Sequence, residues 1–240
     1  HWMVHSFPTR RSSDLLNPTH KGFFIALASH DGPDTAEDGP THQGLYWMSL
    51  YQAMPGIKVY KPNDANETIE MLFAALEKNE PIILSLSRRE TTVWDRKEFS
   101  PAISANNGAY IFRDYNKNKL PKKVLVVCGP TMLENVMSIV PELDKKINAK
   151  IVAVTSPELF SVWQEENPKE AEKIISKEER AAAITLHNGW TQFLNDFVLP
   201  PNIQNRTIGT TDYLRSGTVE EVYEFAELSP KKLLEKIIKN

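Results

Sequence analysis

Apolar positions along this chain fall into short unbroken runs that alternate with helical repeats. Gly22-Phe-Phe-Ile-Ala-Leu-Ala28 is continuous enough to predict a strand buried on both faces. Gly44 to Ala53 predicts a helix stopped by Pro55-Gly56, and its many large apolar groups predict burial at a domain or subunit contact. Ile57 to Tyr60 reads as a strand, Pro62-Asn63-Asp64 opens a helix over Ala65 to Lys78, and Pro81 to Leu86 is a second buried strand. In that helix Ile69, Leu72, Phe73 and Leu76 recur at three- and four-residue spacings.

A polar stretch with Pro101, Asn106, Asn107 and Gly108 then interrupts the pattern. Residues 101–120 are the expected interdomain linker, with a short strand near Ala109 to Phe112. Beyond it the alternation restarts. Val124 to Cys128, Ile151 to Thr155, Ala181 to Leu186 and Thr207 to Gly209 read as strands. Helices are expected over Met132 to Ile147, Pro157 to Trp163, Pro168 to Ile175, Gly189 to Val198, Val219 to Ala226 and Pro230 to Lys239. The expected fold class is therefore α/β, with two mostly parallel sheets covered by helices on both faces, one in residues 16–100 and one in 121–240. Residues 1–15 carry no periodicity. Arg10-Arg11 is not followed by the apolar core of a signal peptide, so this stretch is read as a foreign or disordered tail.

Composition adds little beyond exclusions. With 240 residues, 41% hydrophobic and 25% charged, the chain has ordinary globular make-up and mass enough for a core. A net charge of −3 gives no electrostatic case for nucleic acid or an anionic membrane. The single cysteine, Cys128, excludes an internal disulfide and suits a reducing, cytoplasmic compartment; on a buried strand it is expected to be a core residue.

Candidate chemistry concentrates in Ser29 to Gln43, S-H-D-G-P-D-T-A-E-D-G-P-T-H-Q, which follows the C-terminal end of the first strand. Ligands bind at such ends in open α/β sheets. His30 and His42 stand among Asp31, Asp34, Glu37 and Asp38, which should favour the imidazolium form and suit phosphate binding or proton transfer. The competing reading is a pair of surface histidines in turn hydrogen bonds; a metal is disfavoured by the wide spacing. Arg88 and Arg89 stand at another predicted strand end, where a guanidinium clamps a phosphate or merely pairs with Glu90 or Asp95. Gly129-Pro130-Thr131 is expected to be a plain helix cap, and His187-Asn188-Gly189 a strand-to-helix turn.

The spacing of E-D-G-P-T-H-Q with His30-Asp31 ahead of it resembles the substrate loop of transketolases, in their pyrimidine-binding domain. A-M-P-G-I-K-V-Y-K-P-N-D-A-N-E (Ala53 to Glu67) and P-I-I-L-S-L-S-R (Pro81 to Arg88) resemble the steps that follow in that family. The second half resembles, in element order, the transketolase C-terminal domain. What the resemblance implies is specific. The first sheet would belong to an incomplete thiamine-diphosphate pyrimidine-binding domain. His30 and Arg88 match positions that hold the phosphate of a sugar phosphate, and Asp38 matches the reader of its C2 hydroxyl. His42 matches the catalytic histidine beside the reacting carbon and the cofactor's aminopyrimidine. The implied reaction moves a two-carbon ketol unit from a ketose phosphate to an aldose phosphate with thiamine diphosphate and magnesium, in a homodimer of the complete enzyme. A 1-deoxyxylulose-5-phosphate synthase, a pyruvate-dehydrogenase-like component and a non-catalytic sugar-phosphate-binding partner subunit are the alternatives.

Departures from the family pattern qualify this expectation. H-D-G-P-D stands where transketolases usually have H-D-S-I-G, and Asp34 is expected to bear on acceptor preference. Arg89-Glu90 replaces the usual Gln-Asn after Ser87-Arg88. No glutamate occurs in residues 1–36 and no G-D-G…N motif is found, so the carboxylate that activates the cofactor and the diphosphate–magnesium site are expected from an N-terminal domain or subunit. This chain alone is not expected to catalyse.

Overall fold

The structure is a computed structural model that describes residues 23–200 and 203–240. The stretch read as a tail, residues 1–15, lies outside the described residues. Two sheets organise the rest. In the first, β1 (Ile25–Ala28), β2 (Lys58–Tyr60) and β3 (Ile82–Ser85) run parallel in the order β1-β3-β2. In the second, β4 (Ala109–Arg113), β5 (Lys122–Cys128), β6 (Asn148–Val154), β7 (Ile184–Trp190) and β8 (Thr207–Thr210) take the order β4-β6-β5-β7-β8. All its pairings are parallel except that of β4, which runs antiparallel along β6. The segment expected as a linker thus supplies an edge strand to the second sheet.

The pleat sends alternate residues of β5 to opposite faces. Leu125 and Val127 pack with Met132, Leu133 and Val136 of α3 (Pro130–Leu143) and with Leu233 and Ile237 of α9 (Pro230–Lys239). Val124, Val126 and Cys128 pack on the other side with Phe160, Ile174, Phe193 and Phe197. Cys128 is fully buried, as expected of a core residue, and burial pushes its thiol up to about 12.

Four expectations are corrected. The first strand is not buried on both faces: β1 is an edge strand and Leu27 is exposed, while the central β3 is buried throughout. The helix over Ala65–Lys78, α2, turns Glu67, Met71 and Ala75 inward and leaves Ile69, Phe73 and Leu76 exposed. A glutamate tolerates that inner face because Asn63, Arg96 and Tyr110 all bond its carboxylate. Finally, His187-Asn188-Gly189 is no turn. β7 continues through it to Trp190, and Thr191–Phe197 forms a 3-10 turn where an α-helix was expected. The helix expected over Gly44 to Ala53 is shorter, α1 being Trp47–Gln52, with Met48 buried but Leu50 exposed.

The two sheets meet at the carboxyl ends of their strands. Just past β2, the Lys61 N–H donates to the Thr155 carbonyl beyond β6 (2.7 Å), and Asn63 Oδ1 accepts from the Gly129 N–H beyond β5 (3.1 Å). The Trp190 N–H at the end of β7 donates to the Leu45 carbonyl (2.9 Å). A Cβ at Gly189 would stand 2.8 Å from that same carbonyl, so the close approach requires glycine there.

Candidate functional site

The loop after β1 folds back as a 3-10 turn over Gly32–Asp38, opened by Pro33 and ended by Gly39 at φ +80°, a conformation that favours glycine. This turn sorts the loop's carboxylates into two sets. Asp31 and Asp34 point inward and are buried; Glu37 and Asp38 are exposed. Asp31 is paired with the Lys61 ammonium, and that ammonium also donates to Asn188 Oδ1 of β7 (2.7 Å). Asp34 accepts from three hydroxyls: Tyr223 (2.6 Å), Ser87 (2.7 Å) and Thr131 (3.0 Å). Asn188 Nδ2 donates to the Tyr223 hydroxyl (3.2 Å), closing the network between the two sheets.

On the outer side of the turn, Arg88 beyond β3 is ion-paired with Asp38. Neither residue is shielded: their side chains are 48% and 33% exposed. His30, half-buried, accepts or donates through Nδ1 to its neighbour Ser29 (3.0 Å), and His42 does the same with Thr41 (3.0 Å). His30 lies within electrostatic reach of Arg88, Asp38 and His42 together. The four residues singled out in the sequence therefore lie in one neighbourhood past the strand tips of β1 and β3. An open groove of about 620 Å³ lies beside His42, lined by its neighbours Thr41 and Gln43 and by Tyr46, Trp47 and Tyr213, though by none of the four themselves.

Three local expectations fail. The carboxylates do not win at His30: its pKa is lowered, chiefly by burial, with the Arg88 cation among the charges that add to this. Asp31 and Asp34 face away into the joint, and Asp38 alone among the loop carboxylates pulls the other way. Neither arginine pairs with Glu90 or Asp95: Arg88 takes Asp38, and Arg89 takes Glu134 of α3 (3.2 Å). Nor is Thr131 a plain cap, since its hydroxyl is spent on Asp34.

Sequence reasoning missed Lys61, Asn188 and Tyr223. Lys61 and Asn188 sit in strand-end segments, and their partners come from the other half of the chain. A lysine inside an otherwise apolar stretch, V-Y-K-P, was the available signal.

Among the described residues no group of three histidine, cysteine, aspartate or glutamate side chains is arranged to hold a metal ion. No helix among them is long and apolar enough to cross a membrane.

Residues 19–93 match the family described as transketolase, pyrimidine binding domain. Over 216 residues the chain is 28% identical to transketolase 10 of Craterostigma plantagineum, covering 89% of this chain and 30% of that protein. Among solved structures, a variant of Pichia stipitis transketolase in complex with fructose 6-phosphate superposes with a TM-score of 0.75 at 20% identity, covering 96% of this chain and 32% of that one. A split-gene transketolase described as an inactive β4 tetramer superposes with a TM-score of 0.66 at 18% identity, over 90% of this chain and 66% of its own. The chain thus spans about a third of the length of the first relatives it matches.

Proposed function

We propose that this chain, a relative of the transketolases along most of its length, is the sugar-phosphate-reading part of a ketol transferase. The complete enzyme would move a two-carbon ketol unit from a ketose phosphate to an aldose phosphate. The proximity of His30, Asp38, His42 and Arg88 in one neighbourhood past the strand tips carries this reading.

The chemistry of each group suits its part. The Arg88 guanidinium offers a planar fork to a phosphate, and its exposed pairing with Asp38 is worth only about 0–1 kcal/mol, so a dianion can displace the carboxylate at small cost. Asp38, once released, is an acceptor placed to read a sugar hydroxyl. His30 is held toward its neutral form, so an arriving phosphate would draw a proton onto it and gain a second cationic contact. His42 has Nδ1 engaged by Thr41, and its imidazole makes no other hydrogen bond among the described residues, which suits a proton donor at a reacting oxygen.

The fit to thiamine diphosphate is partial. His42 and the aromatic groove beside it suit the end of the cofactor nearest the reacting carbon, whereas no described residues form a magnesium–diphosphate site. When bound, the cofactor supplies the carbanion that breaks and makes the carbon–carbon bond; this chain positions the sugar. A cytoplasmic homodimer completed by an N-terminal diphosphate-binding domain or subunit is the assembly this reading expects.

The test is to complement the chain with a diphosphate-binding part and compare Arg88→Ala on phosphorylated and unphosphorylated ketoses. A phosphate clamp requires kcat/KM to fall by roughly 1.5–3 kcal/mol for the phosphorylated donor alone. An equal loss for both donors refutes the assignment.

A further inference from the structure

Asp34 has no place among the four residues just described. Its residue is 5% exposed, and both side-chain oxygens are taken. The three donors come from three separate parts of the fold. Ser87 precedes Arg88 at the tip of β3. Thr131 opens α3 of the second sheet's layer, and Tyr223 lies in α8 (Val219–Phe225). Asp34 is also four residues before Asp38 in the short Gly32–Asp38 segment, two 3-10 turns that meet at a kink at Ala36. One carboxylate therefore fastens both sides of the Asp38–Arg88 pair: it holds the turn that carries Asp38 and the backbone segment that carries Arg88.

We propose that Asp34 is a positioning residue, which sets the separation of the loop groups His30 and Asp38 from the Arg88 guanidinium and locks that separation onto the second sheet. The proposal rests on the phosphosugar reading for its purpose, but not for its geometry. Burial is the larger cost here, and it raises the Asp34 carboxyl above its ordinary range despite the hydroxyls of Tyr223 and Ser87 and the Lys61 cation nearby. Such a group is expensive to bury for stability alone, because an apolar residue would fill the same space without desolvating a charge. Three hydroxyl donors of fixed direction instead define a point, and the loop is built on that point.

The departure from the usual transketolase loop gains a meaning from this. From the sequence, Asp34 is expected to bear on acceptor preference. Its oxygens are instead occupied inside the joint, so any effect on the sugar must pass through the spacing of Asp38, His30 and Arg88.

The experiment uses the full chain with three variants, Asp34→Ala, Asp34→Asn and Ser87→Ala. Two quantities are read by NMR: the titration of the His30 imidazole, and the affinity for fructose 6-phosphate with fructose as control. Amide dispersion reports folding. Asp34→Ala is expected to loosen the loop, so that His30 titrates at higher pH as it leaves its partly buried place near Arg88, and fructose 6-phosphate binds about three- to tenfold more weakly. Asp34→Asn, which keeps one acceptor oxygen for Tyr223, is expected to restore most of both. Ser87→Ala cuts only the tie to the Arg88 segment and is expected to weaken phosphosugar binding while leaving the fold intact; it decides the matter if Asp34→Ala does not fold. An unmoved His30 titration and unchanged affinity in folded Asp34→Ala, or unchanged affinity in Ser87→Ala, overturns the proposal. If the unmodified chain does not bind fructose 6-phosphate, the phosphosugar reading falls. The His30 titration then still decides the positioning role, a shift supporting it and no shift removing it.

Discussion

Replacing Lys61 with methionine should cost this protein more than any surface change of equal size. The ammonium and the Asp31 carboxylate are 1% and 3% exposed, and they pair across the loop that carries His30. Lys61→Met keeps the volume but leaves Asp31 buried without its cation, a loss of about 3–5 kcal/mol. Asn188 Oδ1, which accepts from the same ammonium, loses its donor as well, adding about 1 kcal/mol. The double variant Lys61→Met with Asp31→Asn removes both charges and leaves only the Asn188 loss, so it should be more stable than Lys61→Met alone by about 2 kcal/mol or more. Urea unfolding followed by tryptophan fluorescence and by far-ultraviolet circular dichroism gives each free energy, and coincidence of the two probes shows whether the halves still unfold together. A Lys61→Met cost below about 1 kcal/mol, or strict additivity in the double variant, would refute the reasoning, because it would mean water reaches the pair and screens it.

Glu158, near the start of helix Pro157–Glu166, gives a pH-dependent counterpart: burial raises its carboxyl to about 7 from an ordinary 4.5. The folded state therefore holds a proton that the unfolded chain releases. That contribution is complete below about 4.5 and is lost as pH rises to about 7. Glu158→Gln should flatten the fall, by up to about 3 kcal/mol, in denaturation curves taken across that window. Arg88→Ala should raise the His30 pKa, since the guanidinium is one of the charges that lower it; an NMR titration that moves down instead would contradict the placement of the two groups. Gly129→Ala should destabilise by about 1–3 kcal/mol, because the residue sits at φ +98° and a Cβ there would collide with Lys61 Cε; thermal melts that match the parent chain would show the joint can yield.

The architecture was legible because its signal is local. Runs such as Val124 to Cys128 and Pro81 to Leu86 carry their own burial, and the helices between them carry their own starts, among them Asp64, Ser156 and Thr218, each accepting from a backbone N–H three residues on. The pairing of Arg88 with Asp38 near His30 was legible in outline because strand ends of a parallel sheet point one way. What failed depends on partners distant in sequence. His187-Asn188-Gly189 reads as a turn because polar residues are rarely buried in a strand. It stays a strand because Lys61 and Tyr223 meet Asn188, and because Gly189 lets Leu45 approach. The inner face of α2 was misread for the same reason, since Arg96 and Tyr110, far along the chain, make Glu67 tolerable there. His30 was misjudged because nothing local says which way Asp31 and Asp34 point.

The loop after β1 carries two ion pairs of opposite character. Lys61–Asp31 is shut inside the joint, and Arg88–Asp38 lies on the outer side with both partners substantially exposed. Breaking the inner pair costs several kcal/mol, whereas the outer one holds about 1 kcal/mol at most. A ligand that competes for charge will therefore open the outer pair and leave the inner one closed, so the loop backbone stays fixed while its exposed groups exchange partners. On the proposed reading that asymmetry is what a phosphosugar needs. The phosphate would take the guanidinium, the released carboxylate would be left for the sugar hydroxyls, and the added negative charge would favour the protonated form of His30. A rigid inner clasp beneath an exchangeable outer pair also gives the loop's carboxylates separate parts: Asp31 and Asp34 hold the turn still so that Asp38 can be traded.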